Sequence, residues 1–160
     1  MKKYLNFINE AKKEKEHPLI QSAKRGGNST IKKYIKSGEF DINITDKYGR
    51  TPLMYATLEN FLIVVKTLID AGADVNISDI DNKTALFMVL TNKILDLLLN
   101  AGADVNIKNN NGMTSIMEYV YYRKLSLNNL LIFLKKQIKH GLDLSIKSKN
   151  GLNFYEQLRK

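Results

Sequence analysis

Few side chains in this chain could do chemistry near neutral pH. Its 160 residues include two histidines, His17 and His140, and no cysteine. A thiol nucleophile, a disulfide and a cysteine-bound metal are therefore unavailable. His17 stands just before Pro18, where a helix would begin, and His140 just before Gly141, where one would end. Both places account for a histidine without acid–base or metal work. No HExxH, P-loop or GxSxG pattern occurs. The run DIDNKTALFMVL opens like a calcium loop, with Asp79 and Asp81 in the first and third places, but such a loop needs Asp or Asn fifth, Gly sixth and Glu twelfth. Here those places hold Lys83, Thr84 and Leu90. Asp79 and Asp81 are expected to shape a turn. The sequence offers no catalytic residue, metal ligand or cofactor site, so it predicts a protein that acts through its surface and not as an enzyme.

The elements presenting that surface announce themselves by repetition. AGADVNI stands at Ala71–Ile77 and again at Ala101–Ile107, SGEFDINI at Ser37 is the same phrase with one residue added, and HGLDLSI at His140 is a weaker copy. Their glycines, Gly38, Gly72, Gly102 and Gly141, lie 34, 30 and 39 residues apart. A period near 33 indicates stacked helix pairs that bury a continuous core together. Within one unit, Thr51 suits an N-cap and Pro52 a first helical residue. After a turn near Asn60, Leu62, Val65, Leu68 and Ile69 recur at helical spacing, giving a second helix with one apolar face. Gly72 ends that helix, and Asn82 stands where other units have glycine because asparagine tolerates positive φ.

DKYGRTPLMYA from Asp46, DIDNKTALFMV from Asp79 and NNNGMTSIMEY from Asn109 fall into register with the heptapeptide. This pattern resembles the ankyrin repeat family, whose consensus is similar to D-x-x-G-x-T-P-L-x-x-A followed later by A-G-A-D-V-N. Asp46, Gly49, Thr51, Pro52, Leu53, Ala56 and Ala71–Asn76 match it position by position. The resemblance covers about residues 17–160 and implies an all-α solenoid, a single elongated domain. Its expected parts are an N-terminal cap helix over 1–16 with Leu5 and Ile8 turned inward, repeats at 17–45, 46–78, 79–108 and 109–147, and a half-repeat cap at 148–160 sealed by Phe154 and Leu158. The third repeat has three fewer residues than the second between its threonine and glycine (18 against 21), so its helices or their turn must shorten. The fourth has six more (27), for which a longer first helix or a protruding loop is expected. The family usually carries histidine after T-P-L, bonded to a neighbouring threonine. Met54, Phe87 and Met117 stand there instead, so apolar packing must replace that bond.

The resemblance also implies where a partner binds: on the concave side, at the hairpin tips and the outward positions of each first helix. Carried over by position, the tips are Lys47, Tyr48 and Arg50, then Ile80, Asp81 and Lys83, then Asn110, Asn111 and Met113. The helix positions are Gln21, Tyr55, Met88 and Glu118. Tyr48, Tyr55, Ile80, Met88 and Met113 together would make an apolar contact strip, or pack against neighbouring tips.

The net charge is +9, and residues 1–25 and 109–160 carry +4 and +6 of it while the middle is near neutral. The favoured partner is another protein. The rival is nucleic acid or another anionic surface, met by the basic ends through Lys2, Lys3, Lys12, Lys13, Lys135, Lys136, Lys139, Lys147 and Lys149. Neither FLIVV nor LLIFL is long enough to span a membrane, and the basic N-terminal stretch is interrupted by Asn6, Asn9 and Glu10 before any signal-peptide core forms. A monomer in the cytoplasm or another intracellular compartment is expected, and delivery into a host cell is compatible with the composition.

Overall fold

A computed structural model of the chain describes residues 16–122 and 127–159. Residues 1–15 of the expected cap helix over 1–16, with Leu5 and Ile8, lie outside them. Among the described residues there are eight α-helices, one 3-10 turn and no strand.

The first pair of helices is α1 (Pro18–Lys24) and α2 (Asn28–Ser37), the second α3 (Pro52–Leu58) and α4 (Leu62–Asp70). Each first helix opens with proline in a place that needs no amide proton. Ahead of α3, the Thr51 hydroxyl accepts the Met54 N–H at 3.2 Å. Ahead of α1, His17 does the same work, its Nδ1 accepting the Leu19 N–H at 3.3 Å. Asn60, at φ 58°, reverses the chain between α3 and α4. Both copies of the heptapeptide then close their helices alike. Gly72 and Gly102 take φ 87° and 86°, and the next amides, of Ala73 and Ala103, each donate at 3.0 Å to the carbonyls of Leu68 and Leu98. Only glycine adopts that left-handed turn freely.

In the third pair the three missing residues come entirely from the first helix. It is reduced to a 3-10 turn, Ala85–Met88, while α5 (Asn92–Asn100) keeps the nine residues of α4. Thr84 makes no side-chain cap there. In the fourth pair, where a longer first helix or a protruding loop is expected, residues 123–126 between the two helices lie outside the described ones. α6 (Ser115–Tyr122) has eight residues against seven in α3, whereas α7 (Leu127–Lys139) has thirteen against nine in α4. Most of the insertion therefore lengthens the second helix. α8 (Phe154–Leu158) follows, opened by a reciprocal cap between Asn153 and Glu156. Of the two residues expected inside, Phe154 is buried and Leu158 is 43% exposed. Gln157 takes the inward place instead, its amide donating to Ser148 Oγ at 3.1 Å.

The helices form two rows. α1, α3, the 3-10 turn, α6 and α8 pack in sequence as an inner row, and α2, α4, α5 and α7 as an outer one. The core between them is aliphatic, with Leu53, Leu68, Ile94, Leu95, Leu98 and Ile116 almost wholly removed from water. Met54, Phe87 and Met117 are buried as well, so apolar packing does occupy the histidine places. The cost shows at Thr114, whose buried hydroxyl oxygen has no hydrogen-bond partner among the described residues.

The aspartate and asparagine of the heptapeptide join the units outside that core. Asp74 Oδ1 accepts the Asn76 N–H at 2.8 Å, fixing the loop. The Asn76 amide then reaches the next loop, accepting the Asp104 N–H at 2.8 Å and donating to the Gly102 carbonyl at 3.0 Å. Asn106 repeats both bonds on Asp143 and Gly141, at 2.8 and 2.9 Å, and Asn43 accepts the Asp74 N–H at 2.9 Å. The same letters recur because each asparagine must meet the same backbone one unit further on.

Candidate functional site

Each hairpin tip is built on one polar residue. Asp46 Oδ1 accepts the N–H groups of Tyr48 and Arg50, at 2.9 and 3.0 Å. Asp79 does the same for Asp81 and Lys83, and Asn109 for Asn111 and Met113. Asp79 and Asp81 are thus turn residues. Successive tips are tied by backbone bonds: Ile80 N–H to Tyr48 carbonyl at 3.0 Å, Asn110 N–H to Asp81 carbonyl at 3.0 Å, and Lys149 N–H to Asn111 carbonyl at 2.8 Å. The tips therefore form a continuous, fixed edge.

The site residues expected from the sequence divide into two groups on this edge. Tyr48 and Ile80 are 46% and 64% exposed, and Lys47, Asp81, Asn110 and Asn111 are exposed beside them. Tyr55, Met88 and Met113 are buried, at 7%, 6% and 5% exposure. The five-residue apolar strip is corrected accordingly. Three of its members are covered by their own neighbours and leave only Tyr48 and Ile80 available.

The remaining polar candidates link one unit to the next. Arg50 Nε lies 3.4 Å from Asp79 Oδ2. Lys83 Nζ donates to Glu118 Oε1 at 2.8 Å, and the Asn109 side-chain amide donates to Glu118 Oε2. The Tyr55 hydroxyl donates to Asp46 Oδ2 at 2.6 Å, and Lys24 Nζ sits 3.9 Å from the centre of the Tyr55 ring. A spacing rule that sequence reading missed accounts for the helix positions. Tyr55 follows Asp46 by nine residues, Glu118 follows Asn109 by nine, and Gln157 follows Ser148 by nine, and each pair is hydrogen-bonded. The inner helix thus reaches back to hold the turn residue of its own tip. Met88 stands nine after Asp79 but has no donor to offer, and Arg50 from the previous tip serves Asp79 instead.

Burial alone would raise the Asp46 carboxyl, but the hydrogen bonds from the Tyr55 hydroxyl and from the Arg50 and Tyr48 amides, with Lys24 nearby, outweigh it and hold the group below its ordinary 3.8. Burial pushes the Tyr55 phenol up, and the bond it donates to Asp46 adds to that. A carboxyl depressed by folding contributes stability above its unfolded value, and loses it as pH falls through the folded one. Tyr55→Phe is expected to bring Asp46 back toward the ordinary range, so the variant is less stable near neutral pH and its acid limb is shallower, with less of that stability left to lose as pH falls. Urea midpoints measured from about pH 6 down to about pH 3 check this, and identical acid limbs for the two proteins would contradict it.

Among the described residues no group of three His, Asp or Glu side chains could hold a metal ion, and no helix is long and apolar enough to cross a membrane.

Comparison with known proteins matches this architecture. A model of three ankyrin repeats matches residues 1–79, and a single ankyrin repeat model matches residues 81–110. The chain is 30% identical to inversin of Gallus gallus over 131 residues, 80% of this chain and 12% of that protein. It is 40% identical to the palmitoyltransferase akr1 of Schizosaccharomyces pombe over 58 residues, 36% of this chain and 9% of that protein. It is 36% identical to the ankyrin repeat-containing protein F37A4.4 of Caenorhabditis elegans over 74 residues, 46% of this chain and 6% of that protein. The chain thus spans about a tenth or less of the length of these relatives. Paired helices in two rows, tips bonded in sequence and these matches lead to one assignment: the chain belongs to the ankyrin repeat family, whose repeats generally mediate interaction between proteins and are not catalytic.

Proposed function

We propose that the chain is a non-catalytic module that captures another protein on its row of hairpin tips. The observation that supports this is the exposure of Tyr48 and Ile80 on adjacent tips joined by the Ile80 N–H to Tyr48 carbonyl bond. Large apolar side chains held rigidly at the centre of a surface bind with little loss of conformational freedom. Lys47, Asp81, Asn110 and Asn111 would form the polar rim. Arg50, Lys83 and Glu118 would contribute by fixing that surface, and Tyr55, Met88 and Met113 by supporting it from within. The division into repeats at 17–45, 46–78, 79–108 and 109–147, a monomeric state and an intracellular location belong to the same reading.

Tyr48→Ala combined with Ile80→Ala is expected to abolish partner capture from native lysate at physiological salt, read by mass spectrometry of the retained proteins. The unfolding free energy should stay within about 0.5 kcal/mol, since both side chains are at the surface. Tyr55→Ala with Met88→Ala should do the reverse and lower the unfolding midpoint. Retention of nucleic acid instead of protein, with an affinity that falls steeply as salt rises, would favour the anionic-partner reading.

A further inference from the structure

Among the described helices, lysine is concentrated on one row. The four outer helices carry eight lysines, Lys32, Lys33, Lys36, Lys66, Lys93, Lys135, Lys136 and Lys139, against two aspartates, Asp70 and Asp96. Both aspartates are already paired, Asp70 with Lys66 at 2.8 Å and Asp96 with Lys136 at 2.6 Å. The inner helices carry Lys24 against Glu118 and Glu156. Between α2 and α4 the outer row opens into a groove of about 570 Å³, floored by Ile35, Leu62 and Ile63 and edged by Lys32, Lys36 and Lys66. Ile63 is 67% exposed, the most exposed large hydrophobic residue among those described. Lys32 and Lys36 make no ion pair among the described residues. They stand one turn apart on the same face of α2, where like charges repel.

We infer that this outer groove is a second docking site, and that its occupant is an acidic amphipathic helix of a protein partner. A groove between two side-by-side helices accepts a third helix by the same ridge-and-groove packing that joins the first two. On α4 the lining runs from Leu62 to Asp70, about 12 Å at 1.5 Å per residue, which matches roughly two turns of an occupant. Leucines one turn apart on such a helix would cover Ile35 and Ile63, and flanking glutamates would meet Lys32 and Lys36 and relieve their repulsion. The chemistry of the groove favours this occupant over a phosphate backbone. Its cations are all lysine, with none of the arginine forks that grip phosphate in two places, and its floor is aliphatic, with no aromatic ring on which a base could stack. The site lies on the opposite row from the tips, so the two could be filled together.

The test uses the full 160-residue chain, isotope-labelled for amide NMR, and a synthetic 18-residue helical peptide with leucines along one face and glutamates along both flanks. Expected are saturable shifts confined to α2 and α4, and affinity at least tenfold weaker when the glutamates become glutamine or the leucines become serine. Lys32→Glu, Lys36→Glu and Ile63→Ser in the protein should each weaken the peptide at least tenfold while the thermal midpoint holds, all three positions being exposed. No binding, binding indifferent to these substitutions, or shifts centred on the tips would overturn the inference. So would a short DNA duplex or phosphatidylserine vesicles binding more tightly than the peptide through the same three residues. None of these failures touches the capture assay on Tyr48 and Ile80, so the two proposals stand or fall separately.

Discussion

Leu98→Ala is expected to reduce the unfolding free energy by about 2–5 kcal/mol and to turn a single transition into two. Leu98 is fully buried in the last turn of α5, so truncation removes apolar contact and leaves a cavity that a tightly packed stack can close only in part. The position makes the loss unusually consequential. The inner partner of α5 is the single 3-10 turn Ala85–Met88 in place of a helix, so the third pair has the least intrinsic structure to spare. A linear array is held together by each unit and its nearest-neighbour interfaces, and weakening the middle uncouples the two flanks. The whole stability of a domain is only about 5–15 kcal/mol, so this one substitution takes a large share. Hydrogen exchange along a urea series gives the check: α3 and α4 should lose protection at a different urea concentration from α6 and α7. Leu131→Ala, on the half-exposed face of α7, should change stability by no more than about 0.5 kcal/mol. Simultaneous loss of protection throughout the Leu98 variant would show that the third pair is not the weak joint.

The second large effect concerns the tips. Gly112 has φ 73°, and a Cβ added there would lie 3.0 Å from the Lys149 backbone nitrogen and 3.3 Å from Ser148. Gly151 has a similar φ, 78°, but a Cβ there would meet nothing within 4 Å. Alanine at either place carries a left-handed penalty of about 1–2 kcal/mol. At Gly112 it must also displace the amide that donates to Asn111 at 2.8 Å, which adds about 1–2 kcal/mol. Gly112→Ala is therefore expected to cost roughly 2–4 kcal/mol and Gly151→Ala about half of that. The difference, read from chemical denaturation of the two variants side by side, measures how firmly one tip holds the next. Equal losses would mean that the tips are not coupled through this bond.

What could be read from the sequence was whatever each unit repeats. The heptapeptide marked the helix ends, because a left-handed glycine and a bridging asparagine are needed at every step and tolerate few replacements. The caps at Thr51 and His17 and the inward face of α4 follow from local rules of the same kind. Irregular features were harder to place. A deficit of three residues could be counted but not assigned, because any of two helices and a turn could have absorbed it. The surplus of six went mostly into α7, where periodicity was continuous enough to hide the added turn.

The candidate site was less legible for a related reason. Carrying positions across from the family locates a residue but not its exposure, and Tyr55 and Met88 are buried in the places so assigned. The signal that was present is the nine-residue interval from Asp46 to Tyr55, Asn109 to Glu118 and Ser148 to Gln157. In each case a group able to hydrogen-bond stands opposite a turn-forming one. The fate of Lys83 and Arg50, by contrast, depends on residues 35 and 29 positions away, respectively, and could not have been found by inspecting any one unit.

The asparagine bonds between loops have an evolutionary consequence. Asn76 and Asn106 grip only the main chain of the following unit, an N–H and a carbonyl that every amino acid except proline leaves in place. A copied unit inserted by gene duplication would therefore find its join ready-made, whatever side chains it carried. Lineages could then lengthen or shorten such an array by whole units and vary the tips independently, without first evolving a new seam.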